Sequence, residues 1–162
     1  MCIQCQFNSK KVCDYLINRI GLNFPKNNCY IPNNILNKSI LLKSCIRGLF
    51  DTDGGLHKHH KYSTQLQFTN KSLPLIKSLR FGLIKLGYKP SNIGINHLEF
   101  NTFQLYLFNR DVKKYFREIG SNNPKNNIKF EEWINKGMMP SNSEIFGKTV
   151  NKKLFSGLGV QI

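Results

Sequence analysis

Alanine does not occur once in the 162 residues, and acidic side chains are scarce. Nothing in folding excludes alanine, the best helix former. Asn, Lys and Ile abound and Lys outnumbers Arg, so the bias traces to AT-rich codons, and an organellar location, mitochondrion or plastid, is expected. Long apolar runs are missing too. None approaches the roughly 18 residues that span a bilayer, and the N-terminus lacks the charged-then-apolar order of a signal peptide. A soluble protein from a reducing compartment, with no membrane partner, is expected. Cysteines number five, an odd count. Cys2 and Cys5 form C-x2-C, but no second pair follows at zinc-finger spacing, and His57, His59 and His60 fit no pattern with them. Free, mostly buried thiols are the expectation.

The shortage of acid has a direction. With 24 Lys+Arg against 9 Asp+Glu the chain carries +15, which favours a polyanionic partner through phosphate neutralisation. Residues 54–98 hold no Asp or Glu, yet they contain Lys58, Lys61, Lys71, Lys77, Arg80, Lys85, Lys89 and all four histidines. A basic protein can present such a stretch as a plain solvated face, but so long a span without acid points to nucleic acid.

The length suits one domain with an appendage. "FNSKKVCDYLINRIGLNFPKNN" begins at Phe7 and "FNRDVKKYFREIGSNNPKNN" at Phe108; both open Phe-Asn, break at Ile-Gly and close Pro-Lys-Asn-Asn. Each also follows or opens on an alternating segment, "CIQCQF" over residues 2–7 and "TFQLYLF" over 102–108. Residues 1–39 therefore read as the remnant of a preceding repeat plus a linker, 40–136 as one complete unit, and 137–162 as a loosely held tail.

Within that unit Leu41, Leu42, Cys45, Ile46, Leu49 and Phe50 recur at helical spacing, with Ser39 as N-cap and Gly54 or Gly55 as the stop. "STQLQFT" alternates as a strand with Ser63, Gln65, Gln67 and Thr69 on one face, and "GGLHKHHK" before it is its hairpin partner. A second helix is capped by Ser72, has Pro74 in its first turn, carries Leu73, Ile76, Leu79, Leu83 and Leu86 as a stripe, and ends at Gly87. Residues 92–108 hold a second strand pair, with Gln104 and Tyr106 on the polar side. Helices over 111–119 and 129–135 follow, separated by a loop over 120–127. The order αββαββα implies an α+β fold: one antiparallel sheet, its apolar face under helices and its polar face able to read base edges.

"CIRGLFDTDGG", from Cys45, sets Asp51 and Asp53 at the C-terminal end of the first helix. A carboxylate there opposes the helix dipole by roughly 0.3–1 kcal/mol. Either a local turn holds one of them, or a divalent cation offsets both charges. An EF-hand loop fails, because Leu49 and His60 stand where its first and twelfth ligands belong. An aspartic protease would need Gly where Asp53 stands, and a nucleotide-sugar site would need alternating α/β units.

"IRGLFDTDG", from Ile46 to Gly54, resembles the LAGLIDADG motif of the homing endonucleases. "LQFTNKSL", "REIGSNNPKNNIKFEEW" and "IPNNIL" resemble segments around that motif, so the likeness covers most of residues 7–136. It implies a saddle-shaped sheet in the DNA major groove, with two motif helices in contact through Gly48. Asp53, with the backbone carbonyl of Gly54, would bind Mg²⁺ (or Mn²⁺) beside a scissile phosphate, and Asp51 would be structural. Asn70 matches a position that orders solvent near the metal, and Lys129 one that stabilises phosphate charge, against the plain alternative of a surface lysine. Lys58, His60, Lys61, Ser63, Gln65, Gln67, Thr69, Lys71, Gln104 and Tyr106 are the expected DNA contacts.

Chemistry of this kind uses two motif helices, and this sequence has one. The partner is a second LAGLIDADG unit, from a homodimer or from a missing N-terminal half. A metal-dependent double-strand DNA endonuclease is the leading expectation; an intron-RNA maturase and a non-catalytic DNA-binding module are the alternatives.

Overall fold

The computed structural model describes residues 9–22, 26–60, 63–97 and 102–140. Among these described residues six α-helices and four strands succeed one another: α1 (Lys10–Tyr15), α2 (Asn33–Leu36), α3 (Ser39–Asp53), β1 (Gly54–Lys58), β2 (Thr64–Asn70), α4 (Leu73–Lys85), β3 (Gly94–His97), β4 (Thr102–Phe108), α5 (Asn109–Glu118) and α6 (Pro124–Lys136). From α3 onward this is the expected αββαββα order with a closing helix. The strand segment 2–7 and the tail from 141 lie outside the described residues.

The strands form one antiparallel sheet in the order β1-β2-β4-β3. Alternation decides its two faces. Leu56, Leu66, Phe68, Leu105 and Leu107 are buried on one face, which the helices cover. The register sets His57 beside Gln65 and Phe108, and Gly55 beside Gln67 and Tyr106, on the other.

Helix α3 packs through Leu42, Ile46 and Phe50, spaced by four and at most 1% exposed. Phe50 meets Phe68, Tyr115 and Phe116 edge-on at centroid distances of 5.8, 5.2 and 6.1 Å. Gly82 makes the close approach inside the chain: a Cβ there would stand 3.0 Å from Leu42 Cδ1. Leu41 is 46% exposed rather than in the core stripe, because it lies about 100° round the helix from Leu42.

Several boundaries differ from expectation for local reasons. Lys38, not Ser39, is the N-cap of α3, and no side chain caps it. Helix α5 starts two residues early, at Asn109. Helix α6 starts at Pro124, where Asn123 caps it by accepting from the Lys125 N–H at 3.1 Å and proline's fixed φ suits the first turn. Ser72 does cap α4, accepting from the Leu75 N–H at 3.2 Å.

The segment ahead of α3 joins the same core. Ile31 and Leu36 are buried; Ser72 Oγ donates to the Cys29 carbonyl at 2.7 Å and the Ile31 N–H donates to Ser78 Oγ at 3.0 Å. Cys13 is exposed and Cys29 and Cys45 are half-buried, so these thiols are free but less buried than expected. Burial pushes the Cys45 thiol up. Among the described residues no helix is long and apolar enough to cross a membrane.

Candidate functional site

The end of α3 sends its two carboxylates in different directions, since two residues turn an α-helix by about 200°. Asp51 accepts from the Ser121 hydroxyl and, at 2.9 Å, from the Asn122 N–H, while Asn123 Nδ2 donates to the Asp51 carbonyl at 3.5 Å. It thereby ties α3 to the connection between α5 and α6, which offsets the unfavourable dipole. Asp51→Ala is expected to lower unfolding free energy by about 1–3 kcal/mol, read from a denaturant midpoint.

Asp53 is exposed and points along the sheet. Asn70 Nδ2 donates to Asp53 Oδ2 at 2.9 Å, and Asn70 Oδ1 accepts from the Ser72 N–H at 2.9 Å, so the amide's orientation is fixed from behind. Both line a cleft of about 410 Å³ with Asn27, Thr69 and Lys71. Gly54 follows at the tightest point of the turn. A Cβ there would stand 2.6 Å from the Phe50 ring and 2.9 Å from the Gln67 carbonyl oxygen, so no larger residue fits between helix and sheet.

The polar face of the sheet carries a linked set of side chains. Gln67 Nε2 donates to Thr69 Oγ1 at 3.0 Å and to Gln104 Oε1 at 3.3 Å, and the Tyr106 hydroxyl donates to the same oxygen at 2.7 Å. Gln65 lies one row further, away from Asp53. Ser63 stands outside the strand, where its hydroxyl accepts from the His60 N–H at 3.0 Å and closes the β1–β2 turn. Lys61 lies outside the described residues. Lys58 shares the parity of Leu56, so His57 holds the β1 position on the polar face. His57 and Phe108 are therefore face residues that the DNA-contact expectation omitted; strand parity was the available signal.

Lys129 is not a surface lysine. Only 7% exposed, it donates from Nζ to the Leu56 carbonyl at 3.1 Å, beneath β1. Burial, then the charge of Lys125, lowers its pKa; burial, then Lys129 and Lys125, lowers that of His57. A folded-state pKa below the unfolded value means that the charged amine opposes folding, a cost that is relieved as pH rises through the folded pKa. Lys129→Met should then keep or raise the melting temperature at neutral pH and lose part of the stabilisation seen on raising pH, measured by thermal unfolding across alkaline pH.

Among the described residues no three His, Cys, Asp or Glu side chains gather in one place. Asp53 and the carbonyl after it are hard oxygen donors, the kind that Mg²⁺ and Mn²⁺ take.

Residues 41–120 match the LAGLIDADG-like domain family. The match spans α3 from Leu41 onward with its two acids, all four strands, α4 and α5. The chain thus carries a LAGLIDADG-like domain, consistent with the family of homing endonucleases and maturases, whose members bind DNA and often dimerise. No match was found among curated proteins or among solved structures.

Proposed function

We propose that two copies of this chain pair through α3 about a two-fold axis and cut both strands of a long, near-palindromic duplex DNA site. One observation carries the reading: the outward face of α3 is bare and already satisfied. Ile40 and Leu41 are 79% and 46% exposed, and a Cβ on Gly48 would meet nothing within 4 Å. The hydroxyls of Ser44 and Thr52 donate back to the carbonyls of Ile40 and Gly48, at 3.1 and 3.0 Å. Ser44, Gly48 and Thr52, small residues at every fourth position with both hydroxyl protons already donated, suit close helix contact.

Pairing there brings two Asp53 carboxylates toward one another at the edge of a doubled sheet. Mg²⁺ or Mn²⁺, when bound, supplies charge stabilisation to the attacking and leaving oxygens at phosphorus. The residues of the chain orient and screen. Asn70 fixes the Asp53 carboxylate, Gln65, Gln67, Thr69, Gln104 and Tyr106 face the bases, and Lys71 meets the backbone. Lys129, held to the Leu56 carbonyl beneath β1, adds positive charge behind the strand toward developing phosphate charge.

The pairing is tested with Gly48→Cys. A disulfide needs Cα atoms within about 7 Å, so oxidation should yield a covalent dimer joined at position 48, identified by peptide mapping. Cross-links spread over Cys13 and Cys29 with none at 48 would contradict it.

A further inference from the structure

Phe108 is an apolar ring on the wrong side of the sheet. The core lies against the other face, yet strand alternation sets Phe108 in line with Gln104 and Tyr106. The ring is held there. Tyr106 stacks on it at a centroid distance of 6.0 Å and an interplanar angle of 28°, and His59 leans on it at 5.1 Å and 49°, with His60 a further 4.1 Å on. Contact from two sides leaves Phe108 half-buried and fixed in place, with its remaining surface among polar groups.

Gln65 is its register partner on β2. Side chains so paired start about 5 Å apart at Cβ. The glutamines of this face differ in what they have left to offer. Gln67 has both amide hydrogens committed, to Thr69 Oγ1 and Gln104 Oε1, and that Gln104 oxygen already accepts twice. Among the described residues nothing engages the Gln65 carboxamide, so its donor and its acceptor are both available. His57, the neighbour on β1, leans the other way: its Nε2 lies over Gly55, 2.6 Å from where a Cβ would stand.

A free carboxamide beside a fixed apolar ring is complementary to one kind of base pair. In the major groove an A·T pair shows adenine N7 and N6–H, which a glutamine meets with donor and acceptor together, and beyond them the thymine methyl, which suits a phenyl ring. A G·C pair presents two acceptors on the purine and no methyl on the pyrimidine. It would leave the Gln65 oxygen unpaired and the Phe108 ring in water.

We propose, on the reading of the sheet as the DNA-facing surface, that Gln65 and Phe108 together select one A·T pair per chain, Gln65 by the adenine edge and Phe108 by the thymine methyl. Their row lies away from Asp53, so they act on affinity rather than on the chemical step. The test needs no cleavage. The full chain selects sites from a randomised duplex library without divalent cation, and the enriched duplex is remade with deoxyuridine for thymidine at one position at a time, which removes a methyl group and nothing else. At one A·T pair per chain, uracil should lower affinity by about four-fold, the worth of one buried methyl, and a G·C replacement by roughly ten-fold. Phe108→Ala should bind the thymine duplex at least about four-fold more weakly and be indifferent to uracil at that pair. Phe81→Ala, which removes an exposed ring on α4, should behave as wild type. Uracil tolerated at every position by the wild-type chain, or a uracil effect that survives in Phe108→Ala, would overturn the proposal. A library that yields no enriched sequence would remove the DNA-reading function itself, and this selection with it. If circular dichroism shows Phe108→Ala misfolded, Phe108→Gln gives the same reading, and the uracil scan on the wild-type chain stands without either.

Discussion

Asp53→Asn leaves the chain folded and able to bind duplex DNA but without measurable cleavage, a loss of at least about a thousand-fold. The substitution keeps the shape and removes a negative charge from an exposed side chain whose only hydrogen bond among the described residues is with Asn70. A carboxamide offers a divalent cation a neutral oxygen in place of an anionic one, and the electrostatic stabilisation of charge at phosphorus falls with it. Stability should change by less than about 0.5 kcal/mol, as at surface positions, because Asp53 caps nothing and crosses to no other element but β2. Asp51 provides the contrast: its carboxylate bridges α3 to residues 121 and 122, so its loss is read in unfolding before it is read in catalysis.

Gly48→Trp should leave the monomer intact and abolish pairing and cleavage together. The added side chain meets open space within one chain, so its intramolecular cost is confined to the small difference in helix propensity, which favours most residues over glycine. Across a close helix contact, by contrast, an indole must push the two axes apart by several ångströms and uncover the face it was meant to bury. Sedimentation should show a monomer of unchanged melting temperature, and cleavage should drop to the Asp53→Asn level. A substituted dimer that still cuts DNA would place the contact elsewhere on the molecule.

Much of this was legible in residue order. The α+β class, the two sequential strand pairs and the α4 cap followed from period-two and helical spacing and from Ser72, while the central β2–β4 pairing did not. The LAGLIDADG likeness came from a nonapeptide and its neighbours, and the matched domain now covers residues 41–120. What stayed hidden depended on tertiary partners. Nothing local marks Ile31 and Leu36 as core, because what buries them is α4, some forty residues on. Leu75 reads as an off-stripe residue of α4, yet it is 8% exposed where β2 and α3 close over it. Lys129 is buried by β1, a strand more than seventy residues earlier, and no periodicity in α6 signals that an amine rather than an apolar group will fill the gap. Asp51 could be assigned a structural role only by resemblance until Ser121 and Asn122 were seen beneath it.

The most direct measurement is cleavage itself: wild-type chain, Mg²⁺ and a plasmid library with a randomised insert, followed by sequencing of the linearised ends. A small set of plasmids should be cut in both strands at a common near-palindromic site, only with divalent cation present. A chain that forms dimers and binds library members while linearising none of them would contradict the proposed function.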